Sequence, residues 1–153
     1  MKVLVIEDNQ DMRELLQRLV ELMHYIPICT ANGKEGFEKA ALEKPDVILM
    51  DFMMPGMDGF ETTRLLRFTP STKDIPIIAT TAMSRQSDID ACLNAGCNSY
   101  IIKPFSLAEL GAKIQQLLVS EENEARVITY SWHCYRKLRN ARLCLRYRDR
   151  FTV

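Results

Sequence analysis

Three acids, a threonine and a lysine stand directly behind short apolar runs. Glu7-Asp8 follow residues 3–6, Asp51 follows residues 47–50, Thr81 follows residues 77–80, and Lys103-Pro104 follow residues 99–102. Brought to one place, three carboxylates would repel and raise one another's pKa unless a cation sat among them. A few hard oxygen donors suit Mg²⁺, which keeps several waters and takes only a few carboxylates. An aspartate beside such a metal and a lysine can attack a phosphoryl group, because metal and ammonium neutralise the charge that develops on the transferred oxygens. Asp51 is the expected nucleophile.

The elements that must position these residues are legible as an alternation of short apolar runs with stretches of helical period, the pattern of an α/β protein with a parallel sheet. The spacing predicts strands over residues 3–6, 25–29, 47–50, 77–80 and 99–102. It predicts helices over residues 11–23, 33–43, a segment through Leu65 and Leu66, 86–95 and 107–118. Met12, Leu15, Leu16, Leu19, Val20 and Met23 form the apolar stripe of helix one, and Phe37, Ala40 and Ala41 that of helix two. Pro27 cannot donate a ladder hydrogen bond, so strand two belongs at a sheet edge. Pro45 stops helix two, and Gly96 stops helix four. In such sheets ligands bind at the carboxyl ends of the strands, which is where all the residues above fall.

At these residues the sequence resembles the receiver domain of two-component response regulators, and the likeness runs over residues 1–120. Four landmarks recur in order: Glu7-Asp8; Asp51-Phe52-Met53-Met54-Pro55-Gly56-Met57-Asp58-Gly59; Thr81-Ala82; and Tyr100-Ile101-Ile102-Lys103-Pro104-Phe105. The resemblance implies a flavodoxin-like, doubly wound five-stranded parallel sheet of order 2-1-3-4-5 with five helices. It implies that Asp51 accepts a phosphoryl group from a histidine kinase or phosphotransfer protein, while Asp8, Asp51 and the Met53 carbonyl bind Mg²⁺ and Glu7 acts through a metal water. Lys103 would contact a phosphoryl oxygen, ahead of a cis peptide to Pro104. Thr81 would close on the new phosphate, and Tyr100 would be the aromatic switch that changes the surface of helix four, strand five and helix five for a downstream protein partner or a phosphorylation-dependent homodimer. Beyond phosphorylating and dephosphorylating itself, such a domain catalyses nothing.

Two departures stand out. Glu7 occupies a position where many members carry Asp. Met53 and Met83, two residues beyond Asp51 and Thr81, sit where side chains of this family flank the attacking water, and neither can orient a water or carry a proton. Slow self-dephosphorylation is the expectation. A haloacid-dehalogenase-like phosphatase would need a second acid where Met53 stands, and no G-x-G-x-x-G or G-x-x-x-x-G-K-[ST] signals a nucleotide fold. Taken singly, Asp8 could cap helix one, Asp51 could be a turn residue and Lys103 a solvated lysine; their joint placement at strand ends argues otherwise.

The 153 residues are 47% apolar, enough for one cored domain. The formal net charge of zero hides a division: residues 1–124 carry 12 Lys/Arg and 19 Asp/Glu, residues 125–153 carry 8 Lys/Arg and one Asp. The chain is not a polycation overall, and residues 121–153 read as a basic, helical tail, too short for an independent output domain. Cys134, Leu138, Ala141 and Leu145 would share one face there, with arginines broadly opposite. Such a tail could serve nucleic acid or an acidic partner as an output. Five cysteines without a C-x-x-C pair signal neither a disulfide framework nor a zinc site, His133-Cys134 included. No run is long enough to span a membrane, and the N-terminus lacks a cleavage region, so the expected location is cytoplasmic.

Overall fold

A computed structural model describes residues 1–118, and the expected tail helix lies outside the described residues. Five strands, β1 (Lys2–Ile6), β2 (Ile26–Thr30), β3 (Val47–Asp51), β4 (Ile77–Thr81) and β5 (Ser99–Ile102), alternate with five helices. The helices are α1 (Gln10–Leu22), α2 (Gly33–Glu43), α3 (Gly59–Phe68), α4 (Gln86–Ala95) and α5 (Leu107–Leu118). Every strand pair is parallel, and the sheet order is β2-β1-β3-β4-β5, the flavodoxin-like order implied at the outset. Pro27 lies on the edge strand β2, opposite Val3, where one side of the strand has no ladder partner to disappoint.

Burial follows sheet position. β3 and β4 are buried at every residue and β1 at all but its first, as strands covered on both faces must be. The edge strands are only partly covered, with Ile26 and Ile102 exposed. The expected stripe of α1 narrows in the same way: Leu16 and Val20 are buried, whereas Leu15 is 48% exposed. On α2, Ala40 is buried and Phe37 packs against the core from a half-buried position.

Caps set the helix starts. Asn9, not Asp8, caps α1 by accepting from Met12 N at 3.0 Å, so Asp8 is released from the duty that its position alone suggested. Asn32 caps α2 and Asp58 caps α3 in the same manner. Ser106 and Glu109 exchange hydrogen bonds in a capping box that starts α5. At the amino-terminal rim of the sheet, Arg67 of α3 donates to the carbonyls of Gly96, Lys73 and Ile75 and to Asn98 Oδ1, all at 2.8–2.9 Å. That one guanidinium ties the α3–β4 and α4–β5 connections together. Among the described residues no helix is long and apolar enough to cross a membrane.

Candidate functional site

β1, β3 and β5 deliver Glu7, Asp51 and Lys103 to one rim. Parallel register sets β1 beside β3 and β3 beside β4, so consecutive strands end level with one another. Lys103 Nζ lies 2.7 Å from Asp51 Oδ2 and 2.7 Å from Glu7 Oε2, bridging two carboxylates that are both nearly buried. Oxygens of Glu7, Asp8 and Asp51 all lie within 4.8 Å of one another. They line an open cleft together with Asn9, Asp11, Met12, Leu15, Met53 and Lys103.

The electrostatics are those of a crowded anionic site only partly offset by the Lys103 ammonium. Burial pushes the Glu7 carboxyl above its usual range, and the neighbouring Asp51 adds to the rise, against the downward pull of Lys103. Burial alone would lower Lys103, but its hydrogen bonds to Asp51 and Glu7 outweigh that and raise it, so the ammonium stays charged at neutral pH. Asp51 Oδ1 accepts from Met53 N at 2.9 Å, which leaves both of its oxygens held in fixed directions.

The loop after Asp51 is held from behind. Phe52, buried, packs edge-to-face on Phe60 with centroids 4.8 Å apart, joining the loop to the first turn of α3. Gly59 comes so close to the end of β3 that a Cβ there would lie 2.6 Å from Asp51 O and from Phe52 Cα. Lys103 is placed by its own backbone, which donates to Thr81 O at 2.8 Å, and its peptide to Pro104 is cis.

Each residue picked out from the sequence has a definite place. Glu7, Asp8, Asp51, Met53 and Lys103 meet in the cleft. Thr81 ends β4, buried, with its hydroxyl accepting from Met83 N at 3.0 Å rather than engaging the Asp51 carboxylate. Met53 presents a 63% exposed side chain. Tyr100 of β5 is half-buried, with Lys113 Nζ 5.3 Å from its ring centroid. Sequence reasoning missed Arg13, whose Nη1 donates to the carbonyls of Glu7 and Asp8. No periodicity or motif flags an arginine that reaches backward to main-chain oxygens.

The donor set fits a hard divalent cation such as Mg²⁺: three carboxylates, no sulfur or imidazole ligand, and one open side for waters. Comparison with known proteins agrees with that chemistry. The family model for the response regulator receiver domain matches residues 3–115. The chain belongs to that family. As a receiver domain it is 39% identical over 118 residues to response regulator MprA of Mycobacterium leprae, an alignment covering 77% of this chain and 51% of that protein. The chain spans about half the length of the curated relatives it matches. Among solved structures, the receiver domain of sensor histidine kinase PA1611 from Pseudomonas aeruginosa PAO1, crystallised with magnesium in its active site cleft, is similar with a TM-score of 0.73. Its identity is 34%, and the match covers 78% of this chain and 98% of that one. Chemotaxis protein CheY4 of Vibrio cholerae is similar with a TM-score of 0.72 and 28% identity, over 75% of this receiver chain and 96% of its own.

Proposed function

We propose that this receiver takes a phosphoryl group onto Asp51 from a histidine kinase or phosphotransfer protein in the cytoplasm, in a reaction that depends on Mg²⁺. The observation that supports it most directly is the Lys103 ammonium, 2.7 Å from Asp51 Oδ2, beside two further acids in an open cleft. A carboxylate oxygen of Asp51 attacks phosphorus, and the P–N bond to the donor histidine breaks as the O–P bond forms. Asp8, Asp51 and the Met53 carbonyl would hold the ion, with Glu7 acting through a water. Bound Mg²⁺ supplies charge neutralisation at the phosphoryl oxygens. Lys103 supplies a second, protein-borne positive charge, and can leave Asp51 Oδ2 for a phosphoryl oxygen by a small movement of its flexible stem.

Thr81 then turns its hydroxyl from the Met83 amide to the new phosphate, and Tyr100 follows inward. The surface of α4, β5 and α5 changes, and a downstream partner reads the change. Residues 1–120 form the switch, and the basic residues 121–153 are a separate segment. The eight basic residues against one acid in residues 125–153 favour a second reading, in which the tail is a nucleic-acid-binding output under receiver control. A salt-sensitive affinity for DNA that disappears on deleting residues 125–153 would support it, and no binding at low salt would end it.

The deciding experiment is intact mass after incubation with acetyl phosphate and Mg²⁺, beside an Asp51→Asn control. A gain of one phosphoryl group that vanishes in the control and on chelation of the metal is the expected result. A gain that persists in Asp51→Asn would overturn the assignment.

A further inference from the structure

The turn joining β1 to α1 holds two adjacent carboxylates, Glu7 and Asp8, within 4.8 Å of a third, while their mutual repulsion works to open it. Its two ends are fixed. Glu7 N donates to Thr30 O at 3.2 Å, and the Asn9 side chain accepts from Met12 N. The middle is held by Arg13, one turn into α1, whose Nη1 lies 2.8 Å from Glu7 O and 3.0 Å from Asp8 O. One nitrogen with two hydrogens thus binds two successive carbonyls, fixing the two peptide planes that flank Asp8.

We propose that Arg13 is a positioning residue for the divalent-cation site, orienting the Glu7 and Asp8 carboxylates through their main chain. The inference rests on reading these acids as the metal site. Peptide-plane orientation sets the Cα–Cβ direction, so holding both carbonyls aims both side chains into the cleft. Lys103 acts differently, on Glu7 and Asp51. It bonds the carboxylate oxygens themselves and competes with an incoming cation, whereas Arg13 adds positive charge behind the turn and leaves every ligand lone pair free. Groups that orient metal ligands in this indirect way are typically worth about 10- to 100-fold in affinity.

The test is calorimetric titration of MgCl₂ into the full-length protein. Arg13→Met keeps the aliphatic stem and removes the donors, and its Mg²⁺ dissociation constant should rise about tenfold. Arg13→Lys, which keeps a charged donor, should recover most of that loss. Asn32→Ala removes the α2 cap, away from the cleft and from both carbonyls, so it should lower thermal stability while keeping near-normal Mg²⁺ affinity. Arg13→Met binding within twofold of wild type overturns the proposal, as does an equal loss of affinity in Asn32→Ala. Should wild-type protein bind no Mg²⁺, the metal reading itself fails. Amide exchange of Asp8 and Asn9 in metal-free protein then still reports on the tether, and rates unchanged in Arg13→Met refute it. Mg²⁺ binding without phosphoryl uptake would overturn the phosphoacceptor reading alone.

Discussion

Lys103 Nζ and Asp51 Oδ2 lie 2.7 Å apart although 52 residues separate them, and the same nitrogen lies 2.7 Å from Glu7 Oε2. Replacing Lys103 by Met leaves two nearly buried carboxylates facing each other without a counter-charge. Metal-free protein should lose about 3 kcal/mol of stability in urea unfolding. Phosphoryl uptake from acetyl phosphate should fall about 100-fold, while Mg²⁺ affinity rises because a competing cation is gone. An unchanged uptake rate would show that the lysine neutralises the ground state only.

Met53 is 63% exposed in the lining of the cleft, with its amide on Asp51 Oδ1, and under the proposed function its side chain flanks the approach of water to a modified Asp51. A thioether cannot orient that water. Met53→Asn should shorten the phosphoryl lifetime about tenfold with Mg²⁺ present, read by the decay of the added mass, at unchanged fold stability. A wild-type lifetime of seconds would remove the premise.

Gly59→Ala places a methyl group 2.6 Å from two backbone atoms, Asp51 O and Phe52 Cα, neither of which can rotate away. The loop after Asp51 has to shift. Stability should drop by about 1–3 kcal/mol, and Mg²⁺ affinity should weaken with it, because the displaced backbone carries Asp51 and Met53. Thermal unfolding and calorimetry on the same sample would read both.

Arg67→Ala removes four hydrogen bonds at once and strands the carbonyls of Gly96, Lys73 and Ile75 together with Asn98 Oδ1. Part of this cluster is open to water, which limits the cost to about 2–3 kcal/mol in urea unfolding. Arg67→Lys should recover little, since an ammonium cannot reproduce the planar fork. The site lies at the opposite rim, so phosphoryl uptake by the folded fraction should be normal.

Burial holds the Cys97 thiol up at about 12, against a weaker downward pull from Thr63 and Arg67. The unfolded chain ionises this thiol from about pH 9, so folding stability from Cys97 is complete below that pH and is lost as pH rises toward 12. The slope from this one group is up to about 1.4 kcal/mol per pH unit. Cys97→Ser should flatten the alkaline limb of a stability–pH curve, and an unaltered slope would assign the loss to other groups.

The chain by itself determined which elements form and which residues stand at their ends. Apolar runs of strand length, interrupted by helical periods and by Pro45 and Gly96, are local properties, and α2, α4, β5 and α5 lie where the spacing predicted. The meeting of Glu7, Asp51 and Lys103 was legible because strands in a parallel sheet end on one rim and because the motif residues sit behind strands. Other features needed the third dimension. Asn9 rather than Asp8 caps α1, a choice between neighbours made by backbone geometry that composition does not encode. Leu15 belongs to the apolar period of α1 yet is half exposed, because the site-side end of the helix lines a cleft rather than the core. The carbonyl tether of Arg13 and the four-bond clamp of Arg67 connect side chains to oxygens of other segments, all main-chain but Asn98 Oδ1. Long flexible side chains carry no periodic signature, so only the packed chain decides which oxygen each one reaches.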